Sequence, residues 1–498
     1  MNRRTSRTIL LLSIVICLMA LPGVWTARAS VLAGRSFQPG GHGVVIPQKI
    51  DTSRLPQIPG AQSVAPQTAT IRASQSSSNG RTSFLSPSNV VNVPPANGTN
   101  PYAKSGLSEQ RGEGNPDATG AGGIDNYLET VNAGLAVYAR GGTQQLTSSF
   151  QSWFNVTSTF YDPMTIWDDT GDRFIFSVLQ TGAKTIWISV AQQTNATGSY
   201  CNYSFPTLAG HDFDHLGVDG NGIYFAFNIL APGSPTNVVN NELFYASRTA
   251  LESCQTATYT SWTDLTNPDG TIAQAMTPAR EDSSVSGVEY LVNSYPAGAC
   301  QMTLWTFTES TSTLTNATIP TQCYSPPPNA KQKGSSALIY TGGDCSLIQA
   351  SLINGLLTTS TPGTYDWGDG NGPVGIVEWF VLNPSSASVS SQGAFGTPGY
   401  WLFYPSAITT PNGHMLFMYN ASGASIYPSI WYVNQSLTNT KALANGNSYF
   451  GTSGVAVWGY YQSAWPDAST VNLNSVWMTG EYAKATNAWG TKFGLVTP

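Results

Sequence analysis

The sequence predicts an all-β fold, and more specifically a β-propeller of six or seven four-stranded blades. Charged residues make up only 10% of the chain while Trp, Tyr and Phe make up 11%, a composition that suits half-buried strands joined by many turns. A strand–turn–strand pattern also recurs about every 50 to 70 residues, a period typical of propeller blades. A pair of β-sandwiches is the competing architecture.

The chain begins with a predicted secretory signal peptide, residues 1–29. Arg3, Arg4 and Arg7 form a basic start, residues 9–20 are nearly all apolar, and small residues precede a cleavage site after Ala29. The apolar run is short for a membrane span, and an uncleaved signal anchor is the alternative. We therefore expect a protein that is secreted or held in the cell envelope, with no transmembrane span after cleavage.

Residues 30–123 have a different composition, rich in Ser, Pro, Asn and Gln. They lack periodic apolar positions, so they bury too little apolar surface to offset the entropy of ordering the chain. We predict a disordered linker here. A pro-segment, or a strand-bearing extension that packs on the domain, is the alternative.

Residues 124–498 form the predicted propeller domain. Its first clear repeat is 161–179, where an apolar run is followed by the turn residues DDTGD and by a second β-rich run. Further copies, each with an apolar strand, a Gly/Asn/Asp turn and an aromatic second strand, begin at His211, Met276, Ser335, Tyr404 and Gly454. We expect strands at 127–140 to complete the last blade beside 489–496.

Five cysteines remain once the predicted signal peptide is removed, so at least one thiol is free. Export makes disulfides possible. Cys300 with Cys323, and Cys201 with Cys254, are the candidate pairs, and no spacing is typical of a zinc site. The sequence alone leaves the connectivity open.

The repeated units resemble a group of secreted bacterial β-propeller proteins, most of them without an assigned activity. The resemblance is carried by Tyr161-Asp162-Pro163 followed by Gly171-Asp172-Arg173-Phe174, by Trp458-Gly459, and by Trp489-Gly490-Thr491. It covers the chain from Asp125 to the C-terminus and implies the fold while implying almost nothing about activity. Tyr460 departs from the pattern, because an Asp is expected there within Trp-Gly-Asp-Tyr.

The resemblance also extends to the propeller architecture of sialidases, but not to their chemistry. Sialidases use three arginines to bind the substrate carboxylate, a forked match that lysine does not reproduce. Here the propeller region contains only Arg140, Arg173, Arg248 and Arg280, and none follows. The Ser-x-Asp-x-Gly-x-Thr-Trp box is also missing, so sialidase activity is disfavoured.

The densest polar cluster is HDFDH, which places His211, Asp212, Asp214 and His215 together. In an extended strand, residues four apart are separated by about 13 Å, too far for the two histidines to share one metal ion. The cluster is therefore a candidate ligand-binding site, with a polar loop as the alternative.

Three further positions are candidates for ligand binding. Asp162 and Glu481 are carboxylates expected near the propeller axis, where polysaccharide hydrolysis would need two carboxylates on facing loops. Trp458 lies in a turn-rich segment and is a candidate platform for stacking a sugar ring. Turn stabilisation by the carboxylates and core packing of the tryptophan are the alternatives.

Two Gly-rich loops suggest calcium as a cofactor, and no other cofactor is indicated. Asp219 and Asn221 in one loop, and Asp366, Asp369 and Asn371 in the other, offer oxygen ligands at alternating positions. Both loops lack the closing Glu of an EF-hand, and ordinary turn chemistry explains them equally well.

A net charge of -6 without a basic stripe argues against nucleic-acid binding, and no nucleophile-elbow, zincin or P-loop motif is present. The leading hypothesis is a monomeric propeller that binds an extracellular glycan or protein through loops on one face. An extracellular polysaccharide hydrolase or lyase with carboxylates near the central channel is the first alternative. A structural or adhesive surface protein is the second, so whether the protein is an enzyme stays open.

Overall fold

The structure, a computed structural model, describes residues 34–55, 85–108, 115–132, 134–234, 236–281, 287–469 and 474–498. The predicted signal peptide lies outside these residues. Within them, strands dominate and the two α-helices, α1 (Phe150–Phe154) and α2 (Arg248–Glu252), are each five residues long. Short 3-10 helices occupy Thr52–Arg54, Glu309–Thr311 and Pro384–Ser386.

The strands begin with five short N-terminal segments and continue as consecutive units of three or four strands. The N-terminal segments are β1 (Ser36–Phe37), β2 (Gly41–Val45), β3 (Gln48–Asp51), β4 (Val90–Asn92) and β5 (Lys104–Ser108). Unit 1 comprises β6 (Thr119–Gly122), β7 (Asn126–Val131), β8 (Gly134–Ala139) and β9 (Gln144–Ser149). Unit 2 comprises β10 (Phe160–Asp168), β11 (Arg173–Gln180), β12 (Thr185–Ala191) and β13 (Ser199–Pro206).

Units 3 to 5 follow the same plan. Unit 3 comprises β14 (His211–Val218), β15 (Gly222–Leu230), β16 (Val238–Ser247) and β17 (Ala257–Thr263). Unit 4 comprises β18 (Thr277–Glu281), β19 (Val288–Asn293), β20 (Ala299–Thr308) and β21 (Thr313–Tyr324). After the short β22 (Leu338–Ile339), unit 5 comprises β23 (Ala350–Ile353), β24 (Leu356–Tyr365), β25 (Val374–Asn383) and β26 (Ser388–Gly396).

Units 6 and 7 end the chain. Unit 6 comprises β27 (Tyr400–Thr409), β28 (Met415–Gly423), β29 (Ile426–Asn434) and β30 (Lys441–Ala444). After β31 (Val455–Ala456), which pairs with β22, unit 7 comprises β32 (Ser463–Pro466), β33 (Val476–Ala485) and β34 (Ala488–Val496).

Strands within each unit pair antiparallel in chain order. The first strand of each unit contacts the first strand of the next, in the order β6, β10, β14, β18, β23, β27 and β32, and β32 contacts β6 again. In the residues that the structure describes, seven first strands thus form a closed ring around a common axis. This arrangement confirms the predicted all-β propeller.

The N-terminal segments pair with the outer strands of the units. β3 extends unit 2 beside β13, β2 extends unit 3 beside β17, and β1 extends unit 4 beside β21. β4 then pairs with β26 in unit 5, and Thr99 bridges Ala442 in unit 6. Residues 34–55 and 85–108 are therefore a strand-bearing extension and not the predicted disordered linker, whereas β6 in the last part of 30–123 belongs to unit 1. Backbone pairing along an exposed strand edge needs no apolar pattern in the added strand, so the composition did not reveal it.

The last unit is completed by β5, which pairs antiparallel with β34. The prediction that strands at 127–140 perform this role is wrong, because β7 and β8 pair with each other inside unit 1. The closing strand therefore comes from the extension that precedes unit 1.

Both predicted disulfides are present. Cys201 of β13 is bonded to Cys254, which links units 2 and 3, and Cys300 is bonded to Cys323 within unit 4. Cys345 is a buried free thiol. In the described part of the chain, no helix combines the length and apolar character needed to span a membrane.

Candidate functional site

The first strands of several units carry a strained residue near their N-terminal ends. β-Bulges interrupt β10, β14 and β27, and the bulged residues Asp162, Phe213 and Tyr404 have φ angles of 53°, 61° and 49°. Asp117, two residues before β6, has a φ of 45°. Left-handed backbone at a non-glycine residue costs roughly 1–3 kcal/mol and is concentrated at functional sites, as are bulges. This end of the propeller axis is therefore the candidate site.

Hydrogen bonds join the residues at this end across units. Asp117 accepts from Tyr460 N at 2.6 Å and from Asn132 Nδ2 at 2.6 Å. The Oδ1 atom of Asn132 accepts from Asp162 N at 2.8 Å, and Asp162 Oδ2 accepts from Phe213 N at 2.8 Å. Units 1, 2, 3 and 7 thus meet through one connected set of polar groups.

Three aspartates converge in this set. Burial, followed by the charge of Asp162, raises the pKa of Asp117 from 3.8 to about 7, although three hydrogen-bond donors oppose the shift. Burial also raises the pKa of Asp214 well above 3.8; Asp162 adds to the shift, and Ser177 opposes it. Asp162 is therefore close enough to act electrostatically on both of the other carboxyl groups.

Three tyrosine rings pack together near Asp117. The ring of Tyr460 lies 5.5 Å from that of Tyr404 and 5.8 Å from that of Tyr340. Burial raises the pKa of Tyr404, and the neighbouring groups Tyr460, Tyr340, Asp344 and Asp117 raise it further. A cavity of about 10 Å³, enough for one water molecule, is lined by residues that include Phe213, Asp344, Ser346, Pro362, Tyr404 and Tyr460.

Side chains from non-adjacent units fill the axis next to the site. Tyr461, which leads into β32, donates to Asp214 O at 3.1 Å, joining units 7 and 3. The Nε2 atom of His215 lies 3.0 Å from the carbonyl oxygen of Leu347, joining unit 3 to the segment before unit 5. Gln349 exchanges hydrogen bonds of 2.8 and 2.9 Å with the backbone of Ala464. The axis is therefore packed at this level.

Arg280 occupies the axis toward the opposite end of the first strands. It donates from Nε to Trp167 O at 2.7 Å, pairs with Asp169, and lies 5.5 Å from the ring centroid of Trp465. Its guanidinium group is thus paired within the protein with Asp169 and not with any of the three aspartates.

The HDFDH cluster is divided by its bulge. Asp214 joins the axial carboxylates and His215 crosses the axis, whereas the ring of His211 lies against Gln180 O in unit 2 at 3.2 Å. Burial lowers the pKa of His211. Asp212 is partly buried beside them. The one group of described residues close enough to share a metal ion contains none of these four.

Trp458 and Glu481 lie beneath the site. Trp458 is fully buried and donates to Asn420 Oδ1 at 3.2 Å, so it is not accessible for the predicted stacking on a sugar. Glu481 is also buried and accepts from Gly459 N at 2.7 Å. Because Tyr460 N donates to Asp117, Glu481 holds the segment that positions this bond.

The exposed loop that was predicted to bind calcium, with Asp366, Asp369 and Asn371, forms ordinary turns. Asp366 accepts from Gly368 N at 2.9 Å, and Asp369 accepts from Asn371 N and Asn371 Nδ2, each at 3.0 Å. These bonds are the ordinary Asx-turn pattern. None of the three residues belongs to the group that is close enough to share an ion among the described residues.

Two residues of the site were missed at the sequence level. Asp117 lies within the segment predicted as linker, far in sequence from Asp162. Tyr460 was noted only because it departs from the Trp-Gly-Asp-Tyr pattern. Tyr460 lines the cavity. Its departure from the pattern is therefore the one signal in the sequence that could have pointed to this position.

No protein-family model and no curated protein matches this chain. Among solved structures, the apocarotenoid oxygenase of Synechocystis is 10% identical with a TM-score of 0.31, and the match covers 74% of this chain and 66% of the oxygenase, just under two thirds of its length. An endo-arabinase from Bacteroides thetaiotaomicron is 11% identical with a TM-score of 0.31, covering 54% and 92% of the two chains. A Dyadobacter fermentans protein of unknown function is 9% identical with a TM-score of 0.36, covering 68% and 94%. At these TM-scores the similarities carry no argument about function.

Proposed function

We propose that the protein hydrolyses glycosidic bonds of an extracellular polysaccharide. The observation that supports this proposal is the convergence of Asp117, Asp162 and Asp214 beside a cavity lined by tyrosine rings. Carboxyl groups whose environments differ are the usual acid and base of glycoside hydrolysis. Aromatic faces next to carboxylates also suit the two sides of a sugar ring.

The environments of Asp117 and Asp162 suggest a different role for each carboxyl group. Asp117, with a pKa of about 7, keeps its proton in mildly acidic solution and donates it to the leaving glycosidic oxygen. Asp162 accepts a hydrogen bond from Phe213 N, which stabilises negative charge on its carboxylate. It acts as the base or nucleophile. Substrate approaches from the side of Asp344, Ser346 and Tyr460, which are only partly buried.

The test is reducing-end release from a panel of soluble polysaccharides and oligosaccharides. Wild type, Asp117→Asn and Asp162→Asn are compared with Glu242→Gln. Glu242 is a matched control because it is a buried carboxyl group with a pKa of about 7 that bonds Leu208 N, outside the site. We expect both aspartate variants to lose about 100-fold or more of the activity and the control to keep it. Equal activity in all four proteins, or none in wild type, would overturn the proposal.

Glycan or protein binding without hydrolysis is the second candidate function. The small cavity favours it, because a space of about 10 Å³ does not admit a sugar ring unless side chains move. Binding would then use the rim formed by Tyr460 and Asp344. Calorimetric titration with glycans that the panel leaves intact would support it if Tyr460→Ala abolished the binding.

A further inference from the structure

A second group of three carboxylates joins units 3 and 4. Asp219 lies in the turn between β14 and β15, Glu281 ends β18, and Glu289 lies in β19. One oxygen from each residue lies within 4.8 Å of the other two. The residues are 2%, 3% and 0% exposed, respectively. This group is separate from the aspartates of the candidate site.

Neither Asp219 nor Glu289 belongs to an ion pair among the described residues. The ion pairs found there join Arg54 to Asp51, Arg140 to Asp467, Arg248 to Asp168 and Glu252, and Arg280 to Asp169. Arg280 is adjacent to Glu281 in sequence, but successive residues of a strand point to opposite faces. Burying several carboxylates without a cation costs several kcal/mol for each charge.

The three carboxylates differ in the number of hydrogen bonds that they accept. Asp219 accepts from the backbone N–H groups of Asn221, Gly222 and Gly287. Glu281 accepts from Tyr290 N at 3.2 Å.

Glu289 is different, because both of its oxygens are buried and neither has a hydrogen-bond partner of normal geometry. Ala279 N–H and the Glu281 carboxyl are near enough to influence it. Burial, then Glu281, then Asp219, raise its pKa well above 4.5. Such a group needs either a cation or a proton shared with Glu281.

We propose that Asp219, Glu281 and Glu289 bind one calcium ion that links units 3 and 4. Oxygens that share a Ca²⁺ ion at about 2.3–2.6 Å lie within about 5 Å of one another, which matches this group. An all-oxygen, strongly anionic site suits a hard cation of variable coordination number. Asn221, predicted as a ligand, instead donates from Nδ2 to Glu309 at 2.7 Å, so the ligand set differs from the loop pattern in the sequence.

The test uses the full chain after treatment with a chelator. Calorimetric titration with CaCl₂, and thermal unfolding with and without roughly 10 mM Ca²⁺, are measured for wild type, Glu289→Gln and the control Glu242→Gln. We expect one Ca²⁺ per chain and a rise in Tm of about 3 °C or more in wild type and in the control. Glu289→Gln should lose both responses.

Terbium provides a second measurement that does not depend on a variant that folds. The charges of Asp219 and Glu289 contribute to the raised pKa of Tyr224. The tyrosine ring therefore lies near enough to the group to sensitise Tb³⁺ emission. Emission that CaCl₂ displaces supports the proposal. Absence of binding, of emission and of any change in Tm for wild type would overturn it, and a shared proton would then explain the pair. Glu289→Gln that retains the Ca²⁺ response would also overturn it.

Discussion

Asp117 and Asp162 at the axis, and Glu289 between units 3 and 4, are buried carboxyl groups in different surroundings. Around Asp117 and Asp162, amide and backbone N–H groups donate hydrogen bonds, and a cavity adjoins them. Around Glu289, no donor of normal geometry is present and the oxygens of three residues crowd together. Donors and a cavity suit proton transfer to a ligand, whereas crowded acceptors suit a bound cation. The surroundings, and not the residue type, separate the two roles.

The largest effects are expected when hydrolysis and the Ca²⁺ response are both measured on one variant of each group. Asp162→Asn should reduce polysaccharide hydrolysis by about 100-fold while its Tm still rises with Ca²⁺. Glu289→Gln should lose the Ca²⁺ response while keeping the hydrolysis, because the two groups share no residue. Both readouts are measured on both variants. Loss of both readouts in either variant would show that the two groups act as one.

The pH dependence of stability tests the axial group alone. Asp117 has a folded-state pKa of about 7, above the ordinary value of 3.8. The folded state therefore binds this proton more tightly, and the stability that it contributes is present below about pH 4 and is lost as the pH rises to 7. Asp117→Asn should flatten the fall in Tm over this window by several degrees.

The control for this measurement is Asp369→Asn, an exposed turn residue, which should leave the slope over the same window unchanged. Scanning calorimetry at several pH values provides the data. A slope in Asp117→Asn equal to that of wild type would show that Asp117 ionises normally.

Asn132 connects two of the axial aspartates. Its side chain donates a hydrogen bond to the carboxylate of Asp117 and accepts one from the backbone N–H of Asp162. Asn132→Ala removes a donor from Asp117 and should destabilise the protein by about 1–2 kcal/mol. It should also move the alkaline limit of the activity to higher pH, because the carboxylate of Asp117 loses stabilisation. Denaturant unfolding and a pH–rate profile are the measurements. An unchanged profile would remove Asn132 from the site.

The smallest effect is expected in the exposed loop at 366–372. Asp369→Asn should change the free energy of unfolding by less than about 0.5 kcal/mol and should leave the Ca²⁺ response intact, because Asp369 bonds only within its own turn among the described contacts. Calorimetric titration with CaCl₂ checks this. A lost response would move the calcium site to this loop.

Part of the site was open to prediction from sequence. Asp162 is a candidate because a carboxylate there is expected near the axis, and Asp214 is a candidate as part of the HDFDH cluster. Asp117 is not, because it lies in a segment whose composition suggests disorder. Glu281 and Glu289 are not either, because they meet Asp219 only through the packing of unit 4 against unit 3. Trp458 was named but is buried, since tryptophans in turn-rich segments also fill the core.

The sequence by itself determined the all-β character and the repeated strand–turn–strand units, because apolar runs and turn residues are local signals. It offered the two disulfide pairs only as candidates. Only the tertiary structure decided which strand closes the ring, which N-terminal segments pair with the units, and which carboxylates meet. Closure brings residues from distant units to one axis, and edge pairing uses backbone groups that every residue carries. Neither leaves a pattern along the chain.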